Sequence, residues 1–368
     1  MTAAHPLMPQ HGPFGDKPPR KIAIFRALQL GDMLCAVPAL RALRAAAPMA
    51  QITLVGLPWA SAFVKRYSRY IDNLLVFPGF PGMPEQPLHL HSVPHFLAEA
   101  QRQRFDLVLQ MHGNGSLTNP LAMLFGGERT AGFYRPGDYC PDAQTFMPWD
   151  ERAHEVLRCL DLMEYLGVPQ QGDRLEFPLT EADFRALQRS HLSLPAPGTY
   201  VCVHPGARMP SRRWLPQRFA EVADQLAQRG MHIVLTGSPD EADVVHEVQR
   251  AMRMPALDLS GKTELGALAA LIAQARLVVS NDTGISHVAA AVATPSVIVA
   301  CGSDPKRWAP LDHGRHHVIS ASVSCRPCMH RECPTAHECA EDVPAEKVAY
   351  MATRLLDNIS SHLPEMQL

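Results

Sequence analysis

From Lys21 onward, short runs of apolar and β-branched residues alternate with longer stretches in which apolar positions recur every three to four residues. Ile22 to Phe25 is a continuous apolar run of strand length, and Asp32 to Ala46 keeps helical spacing until it stops before Pro48. Ile52 to Val55, Leu74 to Phe77 and Leu107 to Gln110 repeat the strand pattern, with helical segments between them. Such alternation predicts a parallel sheet covered by crossover helices. Glu151 to Leu166 reads as a helix closed by Gly167, and a second alternation begins at Tyr200 to His204. It continues through His232 to Leu235, Leu277 to Ser280 and Ser296 to Ala300.

The fold class expected is therefore α/β, with two doubly wound domains sharing one plan. Residues 1–20 read as a disordered arm carrying Pro6, Pro9, Pro13, Pro18 and Pro19. Residues 21–175 form the first domain, 176–343 the second, and 344–362 a last amphipathic helix placed to pack back across the first domain. The segment from Pro78 to Pro94 reads as an irregular loop.

Composition agrees with two cores: 368 residues, 46% hydrophobic and 19% charged, exceed what one ordinary domain buries. A formal net charge of -2 gives no global field towards nucleic acid or an anionic membrane, so any polyanion is held locally. No run approaches the roughly 18 apolar residues of a membrane span, and the first residues lack the apolar core of a secretory signal. The expected location is cytoplasmic, which makes the nine cysteines thiols or metal ligands rather than a disulfide framework.

In open parallel sheets, ligands sit beyond the carboxyl ends of the strands, where helix N-termini present free N–H groups. Four loops occupy that position. After the first strand comes Arg26 to Asp32, in which Gly31 permits a tight turn and Asp32 opens the helix. Asp32 is either a helix N-cap or a cleft carboxylate that takes a proton from an attacking hydroxyl. The second loop, His204 to Trp214, contains Gly206 and carries Arg208, Arg212 and Arg213. It is either a diphosphate-binding cluster or a solvated basic turn over a buried Trp214.

In the third loop, Gly237 to Glu241, a carboxylate stands where ribose hydroxyls are held, or where an acidic first turn matches the helix dipole. The fourth, Asn281 to His287, joins a strand to an alanine-rich helix. The N–H groups near Thr283 and Gly284 are placed to cradle phosphate oxygens, Asp282 shapes the loop, and His287 follows one turn later.

Cys325, Cys328, Cys333 and Cys339 open with C-x-x-C and end in a stretched pair, with His330 and His337 between them. They are read chiefly as reduced thiols in a loop, with a structural zinc site or a redox pair as alternatives. His89, His91 and His95 invite a metal site or, equally, contact with a substrate, although the surrounding prolines suggest an irregular loop.

Five segments, RALQLGDMLCAVP (26–38), VHPGARMPSRRW (203–214), LTGSPDE (235–241), LSGKTEL (259–265) and SNDTGISHVAA (280–290), stand in the order and spacing of glycosyltransferase family 9. This is the heptosyltransferase family of lipopolysaccharide core assembly, and the chain resembles it from about Arg20 onward. The resemblance implies GT-B architecture: two Rossmann-like domains facing a central cleft, the second holding a nucleotide sugar and the first the acceptor. It implies an inverting, metal-independent transfer that requires no cofactor, with ADP-heptose as donor and a lipopolysaccharide core or lipid-linked glycan as acceptor. Contact with the inner membrane would be peripheral, and no nucleic acid is involved.

Asp32 matches the family's catalytic base, Glu241 its ribose-binding carboxylate, and Asp282, Thr283, Gly284 and His287 its phosphate-binding turn. Arg212 stands where many members have lysine, which keeps the charge but alters the hydrogen-bond geometry. Two other readings remain at this stage: a nucleotide-sugar epimerase or hydrolase of GT-B shape, and a noncatalytic zinc-stabilised binding protein. An NAD enzyme is disfavoured because no strand is followed by G-x-G-x-x-G.

Overall fold

The computed structural model describes residues 18–190 and 193–360. Most of the N-terminal arm and the last residues assigned to the C-terminal helix lie outside them. The chain divides into two compact units between Arg174 and Leu175; the boundary read from the sequence falls one residue later.

The first unit contains strands β1 (Lys21–Phe25), β2 (Gln51–Gly56), β3 (Asn73–Val76), β4 (Leu107–Gln110), β5 (Arg129–Tyr134) and β6 (Phe146–Pro148). Its helices are α1 (Leu30–Ala46), α2 (Ala60–Arg66), α3 (Ser92–Arg102), α4 (Thr118–Met123) and α5 (Glu155–Tyr165). All strand pairs are parallel, in the order β3-β2-β1-β4-β5-β6. Inner strands β1 and β4 are apolar runs because helices cover both of their faces. On one face Phe25, Phe77, Phe96 and Phe125 meet edge to face, with ring centroids 5.2–5.6 Å apart. On the other, α1 packs against α5.

The second unit repeats the plan. It contains α6 (Glu181–Ser190), β7 (Tyr200–His204), α7 (Pro216–Gln228), β8 (His232–Leu235), α8 (Ala242–Ala251), β9 (Ala256–Asp258), α9 (Leu265–Gln274) and β10 (Leu277–Asn281). There follow α10 (Gly284–Ala291), β11 (Ser296–Val299), α11 (Pro305–Trp308), β12 (His316–Ile319), α12 (Glu338–Glu341) and α13 (Ala345–Ser360). Its strands lie parallel in the order β12-β11-β10-β7-β8-β9. In each sheet the chain reverses direction of growth beside the first strand, which places a topological switch point at β1/β4 and at β7/β10.

Trp214, fully buried, anchors the second core and donates its indole N–H to the Val343 carbonyl at 3.1 Å. Helix α13, for which the sequence suggested a return to the first domain, sets Val348, Ala349, Ala352 and Leu355 into this same core, against α7, β10 and β11.

One buried polar pair bears on stability. His316 is 3% exposed and its Nδ1 lies 2.8 Å from Ser296 Oγ. Burial pushes its pKa down to about 4, with Asp312 pulling weakly the other way. A histidine depressed below its unfolded value near 6.5 withholds a proton that the unfolded chain accepts, so stability is full above pH 6.5 and falls as pH drops towards 4. The expected loss from this residue is roughly 3 kcal/mol. Denaturant unfolding of His316→Gln should show a shallower decline across that window than the parent protein, and an equal decline would contradict the assignment.

Candidate functional site

In the first unit, the loop leaving β1 leads straight into α1. The helix is capped by Gln29 in extended conformation, which makes Asp32 the third helical residue and not the N-cap that the plainer reading expected. Gly31 is the second residue of α1, so it serves no separate turn. The Asp32 side chain is half-buried at the carboxyl end of β1, the switch point of the sheet. Nearby, His112 stacks on Phe25, accepts the Ala27 N–H at Nδ1 over 3.1 Å, and lies 3.3 Å from Glu85 through Nε2.

In the second unit, four loops converge around the carboxyl ends of β7, β8, β10 and β11. Asn281, fully buried, ties the loop after β10 to the loop after β7: its Oδ1 accepts the Trp214 N–H at 2.9 Å, and its Nδ2 donates to the Pro205 carbonyl at 2.7 Å. This role was not foreseen from the sequence, because it depends on two loops meeting that lie more than sixty residues apart. Asp282 is 6% exposed, and its N–H continues the sheet to the Val299 carbonyl at 3.0 Å. Thr283 caps α10 in extended conformation without a side-chain cap bond, and Gly284 is the first helical residue. His287 is buried one turn later, with its ring 6.3 Å from Trp308.

Glu241 approaches Gly206 so closely that a Cβ there would lie 2.5 and 2.6 Å from the two carboxyl oxygens. The same carboxylate accepts the Ser238 N–H at 2.8 Å and lies 3.7 Å from His204 Nε2. Burial lowers the pKa of His204 and outweighs the attraction of Glu241, so at neutral pH a neutral imidazole faces a carboxylate. Gly206→Ala must displace Glu241 and break its bond to Ser238, at an expected cost of about 1–2 kcal/mol in stability. Denaturant unfolding checks this; stability equal to that of the parent would show that the Glu241 contact contributes nothing to the fold.

Of the basic residues, Arg208 is exposed and Arg213 turns back to the Ala207 carbonyl at 2.8 Å. Arg212 ends a short 3-10 turn, Pro210–Arg212, with its Nε buried and unpartnered. It is one of five such atoms in this region: Arg212 Nε, Ser280 Oγ, Asp282 Oδ2, Thr283 Oγ1 and Ser303 Oγ. Ser280 and Ser303 are 0% and 2% exposed and were not singled out from the sequence.

The cysteine-rich loop is fastened over the Pro210–Arg212 turn. Ser211 donates its hydroxyl to the His330 carbonyl at 2.6 Å, His337 Nε2 lies 3.1 Å from the Ser211 carbonyl, and the Cys328 N–H reaches the Gly302 carbonyl at 2.7 Å. Its four cysteines differ in setting. Cys325 is exposed, whereas Cys339 turns inward to share a hydrogen bond with Cys301 that lowers its own pKa and raises that of its partner. Among the described residues no three His, Cys, Asp or Glu side chains are grouped to hold a metal ion. This includes exposed His89, His91 and His95, the last of which lies on α3.

Two parallel six-stranded Rossmann-like units define the GT-B class of fold. Residues 97–338 match glycosyltransferase family 9 (heptosyltransferase), and the chain belongs to that family. It is 30% identical over 206 residues to lipopolysaccharide heptosyltransferase 3 of Escherichia coli strain K12, a stretch covering 55% of this chain and 60% of that protein. The match thus spans little more than half of the relative's length. Among solved structures, the family 9 glycosyl transferase of Veillonella parvula superposes with a TM-score of 0.72 at 24% identity, covering 92% of this chain and 97% of that one. ADP-heptose lps heptosyltransferase II of E. coli gives 0.72 at 23% identity, covering 92% and 99%.

Proposed function

We propose that the protein transfers a heptosyl unit from ADP-heptose to a lipopolysaccharide core acceptor, by an inverting reaction that needs no metal ion. The observation that carries this reading is the set of four buried, unpartnered donors, Arg212 Nε, Ser280 Oγ, Thr283 Oγ1 and Ser303 Oγ, at or beyond the carboxyl ends of β7, β10 and β11. Buried polar atoms in native proteins are nearly always hydrogen-bonded, so a cluster of orphans marks groups awaiting a ligand. Its chemistry suits a diphosphate: a guanidinium, several hydroxyls and the N-terminus of α10. Asp282, being anionic, shapes the turn instead of binding phosphate directly, and Glu241 accepts from ribose hydroxyls.

In this reading Asp32 takes the proton from the acceptor hydroxyl as its oxygen attacks the anomeric carbon. The bond to the diphosphate breaks, and Arg212 with the α10 N-terminus stabilises the departing charge, the task a divalent cation performs elsewhere. The names of the relatives support heptose as the sugar and lipopolysaccharide as the acceptor. Among the described residues no helix is long and apolar enough to cross a membrane. We place the enzyme in the cytoplasm, with at most peripheral contact with the membrane that carries its acceptor.

Isothermal titration in EDTA with ADP-heptose, ADP and UDP-glucose tests the donor assignment. Saturable binding of the two adenine nucleotides and weaker binding of UDP-glucose is expected. Binding that appears only when a divalent cation is added would overturn metal independence, and equal affinity for the uridine nucleotide would overturn the choice of donor.

A further inference from the structure

The first turn of α1 is gripped by a side chain to which the proposed chemistry gives no direct part. Arg26, immediately after β1, is 2% exposed. Its Nε and Nη2 both donate to the main-chain carbonyl of Asp32, at 3.2 and 2.8 Å, and its Nη1 donates to the Met111 carbonyl at 2.6 Å. Nη2 also meets Glu155 Oε1 at 3.0 Å, while the other oxygen of Glu155 accepts from Arg158. Arg158 is fully buried over the Trp149 ring, 3.8 Å from its centroid, and holds the carbonyls of Asp150 and Ala153 at 2.8 and 2.9 Å. Segments from β1, β4 and α5, far apart in sequence, thus fix one carbonyl in the turn that bears Asp32.

A buried Arg–Glu–Arg chain is a poor source of stability, because stripping water from three charges offsets most of what their attraction returns. What it does supply is rigidity and a fixed positive charge. We infer that Arg26 is a positioning residue for Asp32: it fixes the backbone from which the carboxylate projects and stations a permanent cation beside it, favouring the ionised form that accepts the proton. The inference rests on the reading of Asp32 as the base.

The electrostatics agree. Burial disfavours a charge on Arg26, but the attraction of its acidic neighbours, at neutral pH Glu155 and Asp32, more than compensates and raises its pKa. The neighbouring thiols stay protonated at neutral pH: burial, with Glu155 and Asp32, raises Cys35, and burial pushes Cys159 up to about 11. The charges set around Asp32 are therefore those of Arg26, Glu155 and Arg158, with His112 holding the adjacent Ala27 N–H from the β4 side.

The test is the pH profile of transfer from ADP-heptose to a lipopolysaccharide core acceptor, from about pH 5 to 9, for the parent, Arg26→Gln, Arg26→Lys and Asp32→Asn. Near-ultraviolet circular dichroism reports folding, and ADP-heptose titration reports donor binding. Arg26→Gln is expected to lose about 10-fold or more in kcat with donor affinity unchanged, and to move the acid limb of kcat/KM to higher pH. Arg26→Lys keeps the cation but cannot hold the carbonyl with two N–H groups, so its limb should stay in place while kcat falls by a few-fold.

A folded Arg26→Gln whose acid limb coincides with the parent's would overturn the inference. If that variant does not fold, Arg26→Lys decides alone, and a parental kcat there would also overturn it. An inactive Asp32→Asn beside an unaltered Arg26→Gln profile would remove only the role of Arg26. An active Asp32→Asn would remove the base assignment and this inference with it.

Discussion

Asp32→Asn is expected to lower the transfer rate by about 10²–10⁴-fold while leaving ADP-heptose affinity within about a factor of two. The two effects separate because the donor-binding groups proposed here, Arg212, Thr283 and the α10 N-terminus, all belong to the second unit, whereas Asp32 belongs to the first. Asparagine has the same shape as aspartate and fits the first turn of α1, so the substitution removes proton-accepting ability with little rearrangement. It also removes a carboxylate that interacts favourably with the helix dipole, worth about 0.3–1 kcal/mol, which is too small to unfold the domain or to account for the rate loss. Single-turnover kinetics with saturating donor, beside calorimetric titration of the same preparation, measure the two quantities. A rate within about tenfold of the parent would show that another group takes the proton.

Arg212→Ala should weaken ADP-heptose binding by about 10–100-fold, the usual worth of charge-assisted hydrogen bonds to a phosphate. Its effect on the ligand-free protein should be the opposite of that of most truncations of half-buried side chains. Arg212 Nε is buried without a partner, so in the free protein it carries a desolvation penalty that alanine does not. The melting temperature without ligand should therefore hold or rise, while the upward shift produced by saturating ADP-heptose shrinks. Arg212→Lys should fall between the two in affinity, because it keeps the charge but loses the planar fork. Thermal melts with and without donor read both effects. A destabilised free protein with undiminished affinity would assign Arg212 to structure and not to the donor.

Much of the fold is legible in the pattern of apolar residues. Strands β1, β4, β7 and β10 are buried on both faces, so their runs of Ile, Val and Leu stand out from the helical spacing around them. The shortest edge strands do not. β6 and β9 have three residues each, β9 with every residue half-buried, and segments that short carry no periodicity to read. The start of α3 was taken for loop because Pro94 lies within it, yet a proline in the first helical turn costs little, since the N–H there has no intrahelical partner.

The candidate site divides in the same way. The loops after β1, β7, β8 and β10 were legible because a parallel sheet places ligands at those strand ends, and each loop holds its residues in one short segment. Contacts made only by folding were not. Arg26 and Glu155 stand 129 positions apart, and Asn281 gains its role from loops brought together by the pairing of β7 with β10. The contact of Cys339 with Cys301 is a further case: the spacing of the four clustered cysteines, read chiefly as reduced thiols, does not show that one of them turns into the core.

The most direct test of the account is a single assay in EDTA, in which the purified protein is incubated with ADP-heptose and a heptose-free lipopolysaccharide core acceptor while acceptor mass is followed. The account predicts that the acceptor gains one heptose as ADP is released, and that neither change occurs with Asp32→Asn. Release of ADP without any gain in acceptor mass, or no reaction of the parent protein until a divalent cation is supplied, would contradict it.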